Sequence, residues 1–235
     1  MANSFIAEDI IHFNRSLRLD IALPENIRVM NPFNHPEALR ISKEFYRKYY
    51  SDKYPRHLVI AINPGRFGAG VTGIPFTDTA RLKMVCGINP GIPPTHEPSS
   101  VFVYEMIEAY GGPELFYKNF YITSVCPLGF VKENEKGKEV NFNYYDSKEL
   151  EIAVTPFIIE NLEKQFRFNL DLTRCICWGR GKNYHFLSEL NSKYHFFKEI
   201  IPLDHPRFIM QYRAKQKKNY IEQYLNILHY VSESI

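Results

Sequence analysis

The chain has 235 residues, of which 45% are apolar and 23% charged, a composition that is ordinary for a folded globular protein. This composition argues against intrinsically disordered, collagen-like and coiled-coil classes. With 29 Lys and Arg against 26 Asp and Glu, the net charge is only +3, so any surface that binds nucleic acid must be a local one.

The first 55 residues are predicted to form a helical preface to the main fold. Apolar residues recur at helical spacing over residues 4–15 and again over residues 35–50. Between these two helices, residues 23–36 contain three prolines and are predicted to form a loop.

The rest of the chain alternates short apolar segments with helical patterns. The apolar segments are typical of strands buried on both faces of a sheet, and they lie at residues 57–62, 120–125, 174–178 and 197–203. The predicted helices lie at residues 98–110, 146–167, 181–193 and 214–231. This alternation predicts an α/β fold, a three-layer sandwich with a central, mainly parallel sheet flanked by helices.

One polar segment interrupts this alternation. Residues 131–143 are charged, contain Gly137 and are interpreted as a loop or as an antiparallel hairpin. We find no internal repeat and no long linker, so residues 1–235 are predicted to form a single domain, with residues 56–235 as its core.

The cysteines and the hydropathy pattern limit the cofactor and the compartment. The four cysteines lack the Cys-x-x-Cys spacing of zinc ribbons and iron–sulfur sites, so we expect reduced, buried thiols and neither a metal nor another cofactor. No signal peptide is recognisable, and no apolar run approaches the ~20 residues that span a bilayer. We therefore expect no membrane partner and a cytoplasmic protein, or a nuclear one in a eukaryote.

Unusual polar residues stand at the ends of three predicted strands: Asn63, Ser124 and the pair Asp204-His205. Ligands of open α/β sheets bind beyond the carboxyl ends of the strands, so these side chains are predicted to converge. Asn63 begins a glycine-rich segment, residues 62–76, that fits neither the P-loop nor the dinucleotide-binding pattern. From the residues alone, this segment remains either a structural loop or a ligand loop.

These segments together resemble the uracil-DNA glycosylase superfamily, and the glycine-rich one is similar to motif one of the single-strand-selective monofunctional uracil-DNA glycosylases. That family has Gly-Met-Asn-Pro-Gly, Phe-Gly and Thr-Gly-Val-Pro-Phe where this chain has AINPG at 61–65, FG at 67–68 and TGIPF at 72–76. His205-Pro206 resembles the start of the second motif, and SVCPL at 124–128 resembles the family's Asn-Leu-Cys-Pro-Leu. The resemblance covers roughly residues 55–230 and implies the fold predicted above.

The resemblance implies catalytic roles for two residues and stacking for a third. Asn63 matches the residue that positions the attacking water, and His205 matches the residue that hydrogen-bonds the pyrimidine O2 and stabilises the departing base. Phe76 matches the aromatic ring on which the flipped base stacks. The alternatives are that Asn63 merely closes a turn and that Phe76 is a core residue.

The same resemblance implies a base-binding pocket, formed by Ile62, Gly65, Phe67, Gly68, Phe76 and Ser124. Gly65 matches a position at which the classical uracil enzymes carry a Tyr that blocks the methyl group of thymine. The glycine implies tolerance of 5-substituted uracils. Ser124 replaces the family's Asn that reads the uracil edge, and a hydroxyl cannot bridge a donor and an acceptor as an amide does.

DNA contacts are predicted from basic and apolar residues near these motifs. The candidates for phosphate contact are Arg66, Arg207, Arg213 and Lys215. Phe208, Ile209 or Met210 is predicted either to fill the gap left by the flipped base or to belong to the core.

The resemblance therefore implies a monofunctional DNA glycosylase of base-excision repair that acts as a monomer on single- or double-stranded DNA. It would flip out uracil, or a related deaminated or 5-substituted base, and hydrolyse its N-glycosidic bond. Because of Ser124, a same-fold glycosylase with a main preference for xanthine or hypoxanthine is the alternative. Two further alternatives are a catalytically inactive relative that binds nucleic acid and a hydrolase of free nucleosides.

Overall fold

The computed structural model describes residues 5–233, so Ser4, where the first predicted helix begins, lies outside the described residues. This part of the chain contains ten α-helices and seven β-strands. In chain order they are α1 (Ile6–Ser16), β1 (Ile27–Met30), α2 (Pro36–Tyr49), β2 (Arg56–Ala61), α3 (Ala69–Thr72), α4 (Thr79–Met84), α5 (Pro98–Tyr110), α6 (Pro113–Asn119), β3 (Phe120–Ser124), β4 (Gly129–Glu133), β5 (Glu139–Phe142), α7 (Lys148–Gln165), β6 (Leu170–Trp178), α8 (Lys182–Tyr194), β7 (Glu199–Leu203), α9 (Pro206–Tyr212) and α10 (Lys217–Ser232).

The central sheet has four parallel strands in the order β3-β2-β6-β7. Every residue of β2 and β3 is buried, which explains why these strands are continuous apolar runs instead of alternating ones. Helix α6 contacts β2 and β3, and α8 contacts β6. The predicted α/β fold with a parallel sheet flanked by helices is therefore confirmed.

A second, antiparallel sheet of three strands in the order β1-β4-β5 corrects one predicted loop and decides between the two interpretations of another segment. Residues 23–36 contain strand β1, which pairs with β4 from Ile27↔Lys132 to Met30↔Gly129, so the N-terminal section is not purely helical. The pairing partner lies about 100 residues further along the chain, and a four-residue strand has too few residues to show a period. For residues 131–143, the hairpin interpretation is correct, since β4 and β5 pair over Phe130↔Phe142 to Glu133↔Glu139.

The predicted helices and strands agree with the structure apart from their ends and several short helices. Strand β6 begins at Leu170, four residues before the predicted start, and the pairing of β2 with β6 shifts register between His57 and Leu58. The sequence did not predict α3, α4, α6 or α9, which have four to seven residues each. Such lengths span at most two turns, too few for a helical period to show.

The core contains buried polar groups as well as apolar ones. Arg56 is fully buried, and its guanidinium donates to the Tyr117 carbonyl at 2.7 Å and to both carboxylate oxygens of Asp52 at 2.8 Å. All four cysteines are buried and unpaired, as expected. In residues 5–233, no helix is both long and apolar enough to cross a membrane.

Candidate active site

A cleft of about 370 Å³ opens where the parallel strands end, which is within the usual size range of small-molecule sites. Strand β2 ends at Ala61, β3 at Ser124 and β7 at Leu203, so the residues after these strands meet at one edge of the sheet. Of the predicted site residues, those that line the cleft are Ile62, Asn63, Gly65, Phe76, Ser124, His205, Arg207 and Phe208. The strand-end residues Asn63, Ser124 and His205 therefore converge as predicted, whereas Asp204 does not line the cleft.

Asn63 is oriented by the residues that follow strand β5. Its Oδ1 accepts a hydrogen bond from the Tyr144 N–H at 3.1 Å, and its Nδ2 donates to the Phe142 carbonyl at 3.4 Å. Tyr144 is fully buried, and its hydroxyl donates to Oδ1 of Asn183 at 3.0 Å. The carboxamide is thus held in one orientation, while Oδ1 keeps a second lone pair that can accept from a water.

His205 is the N-cap residue of α9, and this position decides its tautomer. Nδ1 accepts a hydrogen bond from the Arg207 N–H at 3.1 Å, so in the neutral ring the proton lies on Nε2. Burial, and then the positive charge of Arg207, lower the pKa of His205 to about 3. The ring is therefore a neutral imidazole with one N–H to donate at physiological pH.

Asp204 does not pair with the neighbouring His205. Its carboxylate faces Arg180, with 3.8 Å between Oδ1 and the guanidinium Nε, and its carbonyl accepts a hydrogen bond from the Tyr224 hydroxyl. Neither of these contacts orients the His205 ring, so the two residues do not form a catalytic dyad.

Phe76 lies in the wall of the cleft with an unusual backbone conformation. Its φ is +51°, in the left-handed region that bulky residues rarely adopt, and the Ser100 hydroxyl donates to its carbonyl at 2.6 Å. The ring centroid is 5.0 Å from that of Trp178 and 5.5 Å from that of His205. Strain of this kind persists only where the surroundings enforce it, and it concentrates at functional sites.

Ser124 lies beside Ile62 at the end of the parallel pair β2–β3. The register pairs Ala61 with Ser124, and beyond it the Cys126 N–H donates to the Ile62 carbonyl at 3.1 Å. The backbone of both residues is thus fixed by the sheet. At this position the side chain is a hydroxyl where the resembled motif has an amide.

The space beside Gly65 is occupied by the carboxyl group of Glu97, which also lines the cleft. A Cβ atom at Gly65 would lie 2.9 Å from Oε1 of Glu97, closer than real Cβ contacts come. Burial, and then the charge of Asp78, raise the pKa of Glu97 to about 7. Near neutral pH this carboxyl therefore exists in both its ionised and its neutral form.

Five predicted site residues lie outside the cleft lining. Phe67 is 49% exposed and stacks under the guanidinium of Arg66, while buried Gly68 lies on the far side of the Glu97 carboxyl. Phe67 points outward because the chain turns back after Gly65, where the Gly70 N–H donates to the Gly65 carbonyl at 2.8 Å. Phe67 and Gly68 therefore do not line the cleft, which corrects the predicted base pocket.

The predicted basic residues also divide into those that line the cleft and those that do not. Arg207 lines the cleft, whereas the guanidinium of Arg66 donates to the Glu139 carbonyl on strand β5 and is engaged there. Arg213 and Lys215 are exposed and follow α9 without lining the cleft. Ile209 is fully buried, so of the three predicted wedge residues Phe208, at 39% exposure, is the one that is both exposed and beside the cleft.

Several lining residues were missed by the sequence analysis. They are Glu97, Asn141, Asn143, Tyr145, Asp146, Gln211 and Tyr212. Asn141 lies on strand β5 and Asn143 directly follows it, and neither residue type signals a strand. Glu97 lies in a proline-rich segment with no strand signal either. Among residues 5–233, no group of three or more His, Cys, Asp and Glu side chains is placed to hold a metal ion.

Comparisons with known proteins agree with this architecture. The model of the uracil DNA glycosylase superfamily matches residues 47–229. The crystal structure of wild-type Pedobacter heparinus SMUG2 is similar with a TM-score of 0.95 and 50% sequence identity, over 98% of this chain and 99% of that chain. No curated protein matches the sequence.

Proposed function

The chain belongs to the uracil-DNA glycosylase superfamily, and we propose that it is a monofunctional DNA glycosylase that removes uracil and related bases. The observation that carries this proposal is the meeting of Asn63, Phe76 and His205 in one cleft at the strand ends. The substrate base leaves the helix and enters the cleft, because its glycosidic bond cannot be reached inside a duplex.

Hydrolysis breaks the bond between C1′ of the sugar and the ring nitrogen of the base. The electron pair of that bond goes to the base, while a water oxygen bonds to C1′. The proton that this water loses passes through solvent to the anionic base, which leaves as the neutral base. An amide is too weakly basic to remove this proton, so Asn63 acts by orienting the water through Oδ1. Its fixed orientation, with Nδ2 and Oδ1 both bonded after strand β5, supports this role.

His205 supplies the stabilisation of the departing base. A neutral imidazole that donates from Nε2 favours the negative charge developing on a carbonyl oxygen, without giving up a proton. Phe76 provides a ring face for the base, and stacking of this kind contributes ~1–3 kcal/mol per base. The enforced left-handed backbone of Phe76 is consistent with a ring that must hold one position.

The DNA backbone would approach the cleft over α9. Arg207 is exposed at the cleft, and the exposed Arg213 places its guanidinium 5.8 Å from the ring centroid of Phe208. Together with the exposed Lys215, these are the cations proposed for phosphate contacts. Phe208 and Tyr212, whose ring centroids are 5.5 Å apart, form an exposed aromatic pair at the cleft edge. We propose that Phe208 fills the space that the flipped base leaves.

The same geometry favours a second candidate, a glycosylase whose main substrate is xanthine or hypoxanthine. The observation behind it is Ser124, which offers one hydroxyl where the family has an amide. A site that lacks the amide reads the uracil edge less strictly, so purine bases with a carbonyl edge are accepted as well.

Cleavage of labelled oligonucleotides tests both candidates. Each oligonucleotide carries one uracil, xanthine or hypoxanthine, and alkali reveals the abasic sites. We expect the parent to cleave at least one of them, and Asn63→Ala and His205→Ala each to reduce the rate about 10²–10³-fold while melting temperatures stay unchanged.

Ser124→Asn separates the two candidates, because it should raise the rate on uracil relative to the purine bases. A parent that binds these oligonucleotides but cleaves none of them would show a DNA-binding relative without catalysis. Cleavage of free deoxyuridine with little salt dependence would indicate a nucleoside hydrolase.

A further inference from the structure

Glu97 is a cleft residue that the catalytic scheme above does not use. It precedes helix α5, and its backbone N–H donates to Oδ2 of Asp78 at 2.8 Å. Asp78 in turn caps α4 and accepts from the Arg81 N–H and from the Arg81 Nε at 2.9 Å and 2.8 Å. The main chain at residue 97 is therefore fixed, and the side chain extends from it into the cleft.

The carboxyl group packs directly on the glycine-rich loop. Oε1 lies 2.9 Å from the position of a Cβ atom at Gly65, and Oε2 lies still closer to that of a Cβ atom at Gly68. Any side chain at either glycine would thus displace the Glu97 carboxyl. The two glycines and Glu97 form one unit, in which the carboxyl fills the space that the glycines leave.

The charges around this carboxyl are mixed. Asp78 raises its pKa together with burial, whereas a hydrogen bond with Ser99 and the positive charge of Arg207 lower it. A neutral carboxyl offers one donor and one acceptor, and an ionised one accepts only. In either form it is a polar group placed beside the space that a flipped base would enter.

We propose that Glu97 is a specificity-determining residue, whose carboxyl closes the space beside Gly65 and so limits which 5-substituted bases the cleft accepts. This inference rests on the proposed glycosylase activity. It differs from the expectation drawn from Gly65 alone, because the room that the glycine leaves is occupied by a side chain from another part of the chain.

The test compares two bases in four proteins. Single-stranded oligonucleotides carry either uracil or 5-hydroxymethyluracil, and single-turnover rates are measured for the parent, Glu97→Ala, Glu97→Gln and Glu108→Ala. Glu108 lies on helix α5, which Glu97 precedes, is exposed and does not line the cleft, so it serves as the matched control.

We expect Glu97→Ala to raise the rate on 5-hydroxymethyluracil relative to uracil by about tenfold or more, since small differences in pocket size change selectivity by about 10–200-fold. Glu97→Gln keeps the size of the side chain, so it should leave the ratio near that of the parent. Glu108→Ala should not change either rate.

An unchanged ratio in Glu97→Ala, with uracil still removed, would overturn the proposal while leaving the glycosylase function intact. Equal loss of both activities in Glu97→Ala and Glu97→Gln, with melting temperatures preserved, would also overturn it. Failure of the parent to cleave either base would refute the glycosylase function itself, and the specificity role with it.

Discussion

The His205 ring depends on the helix that it caps for both its tautomer and its charge. We predict that His205 remains neutral, with its proton on Nε2, down to about pH 5, because burial and Arg207 lower its pKa to about 3. The ring nitrogen signals in long-range ¹H–¹⁵N spectra measure this directly, and His205→Ala assigns them. A ring that gains a second proton near pH 6 would contradict the prediction.

Glu97 makes the rate of base removal depend on pH. Its pKa is raised to about 7, so the neutral form predominates below that pH and the carboxylate above it. A carboxylate disfavours the negative charge that develops on the departing base, while Asp78 adds to this effect and Arg207 opposes it. We therefore predict that single-turnover rates fall as the pH rises through about 7.

The matched variant for this profile is Glu97→Gln, which cannot ionise. Its rate should stay nearly constant over the same range, because His205 does not titrate there. An equally steep fall in this variant would assign the pH dependence to another group.

The site residues divide into those that the sequence could reveal and those that it could not. Asn63, Ser124 and His205 were predictable because each lies at or just beyond the end of a parallel strand, and parallel strands end at one edge of the sheet. Glu97 was not predictable as a site residue, since its position in the cleft depends on how the segment between α4 and α5 folds back over the glycine-rich loop. Phe67 was misplaced because a motif shows which residues are adjacent in sequence and not which way a side chain points.

At the scale of the elements, the hairpin β4–β5 supports the glycine-rich loop through hydrogen bonds that Arg66 donates to strand β5. The side chain of Asn141 accepts a hydrogen bond from the Arg66 N–H at 2.9 Å, next to the backbone that carries Asn63. We predict that Asn141→Ala lowers the rate on uracil about tenfold, because an unsupported loop positions the water less well.

The control for Asn141→Ala is Val140→Ala, a change to the exposed neighbour on the same strand. Single-turnover kinetics and thermal melting should show a rate loss confined to Asn141→Ala, with little change in melting temperature. Equal losses in both variants would mean that the hairpin contributes only to general stability.

Helix α9 presents an aromatic pair beside the cleft and a buried anchor on its other face. Phe208 and Tyr212 are four residues apart and 39% and 60% exposed, whereas Ile209 is fully buried. We predict that Phe208→Ala lowers the rate on uracil in duplex DNA several-fold more than in single strands, since only a duplex has a gap to fill. The control is Leu115→Ala, because Leu115 is an exposed apolar residue on α6 that does not line the cleft. This variant should change neither the rate on duplex DNA nor the rate on single strands.

The elements themselves were predictable to different degrees. The parallel strands were evident because burial on both faces makes them continuous apolar runs, as in β2. Strand β1 was hidden because only Ile27 of its four residues is buried, and its partner β4 is distant in sequence. Helix α9 begins at Pro206, with only two residues between it and the end of β7, so its sequence does not separate it from the strand end before it.

At the scale of the whole molecule, buried ionisable groups link stability to pH. His57 lies in the sheet with its Nδ1 3.1 Å from Oδ2 of Asp171, and burial lowers its pKa although Asp171 opposes the shift. The pKa values of Asp52, Asp78 and Asp171 are also lowered, by hydrogen bonds and nearby positive charges that outweigh burial. In each case the unfolded chain binds protons more readily than the folded one.

The sign of the effect follows from this difference in proton binding. A histidine whose folded pKa is lowered contributes stability above its unfolded pKa of ~6.5, and that contribution is lost as the pH falls below it. The carboxylates add a further loss below about pH 4. We predict that the melting temperature falls by several degrees from about pH 7 to about pH 5, since each kcal/mol shifts it by about 2–4 °C.

His57→Gln isolates one histidine from the rest, because glutamine keeps a donor near Asp171 but does not titrate. Its melting temperature should fall less steeply between about pH 7 and about pH 5 than that of the parent. The remaining slope combines His205, which loses stability on acidification, with Glu97, whose raised pKa acts in the opposite direction. Thermal melting at several pH values measures the slopes of both proteins, and parallel curves would show that the ionisation of His57 does not contribute.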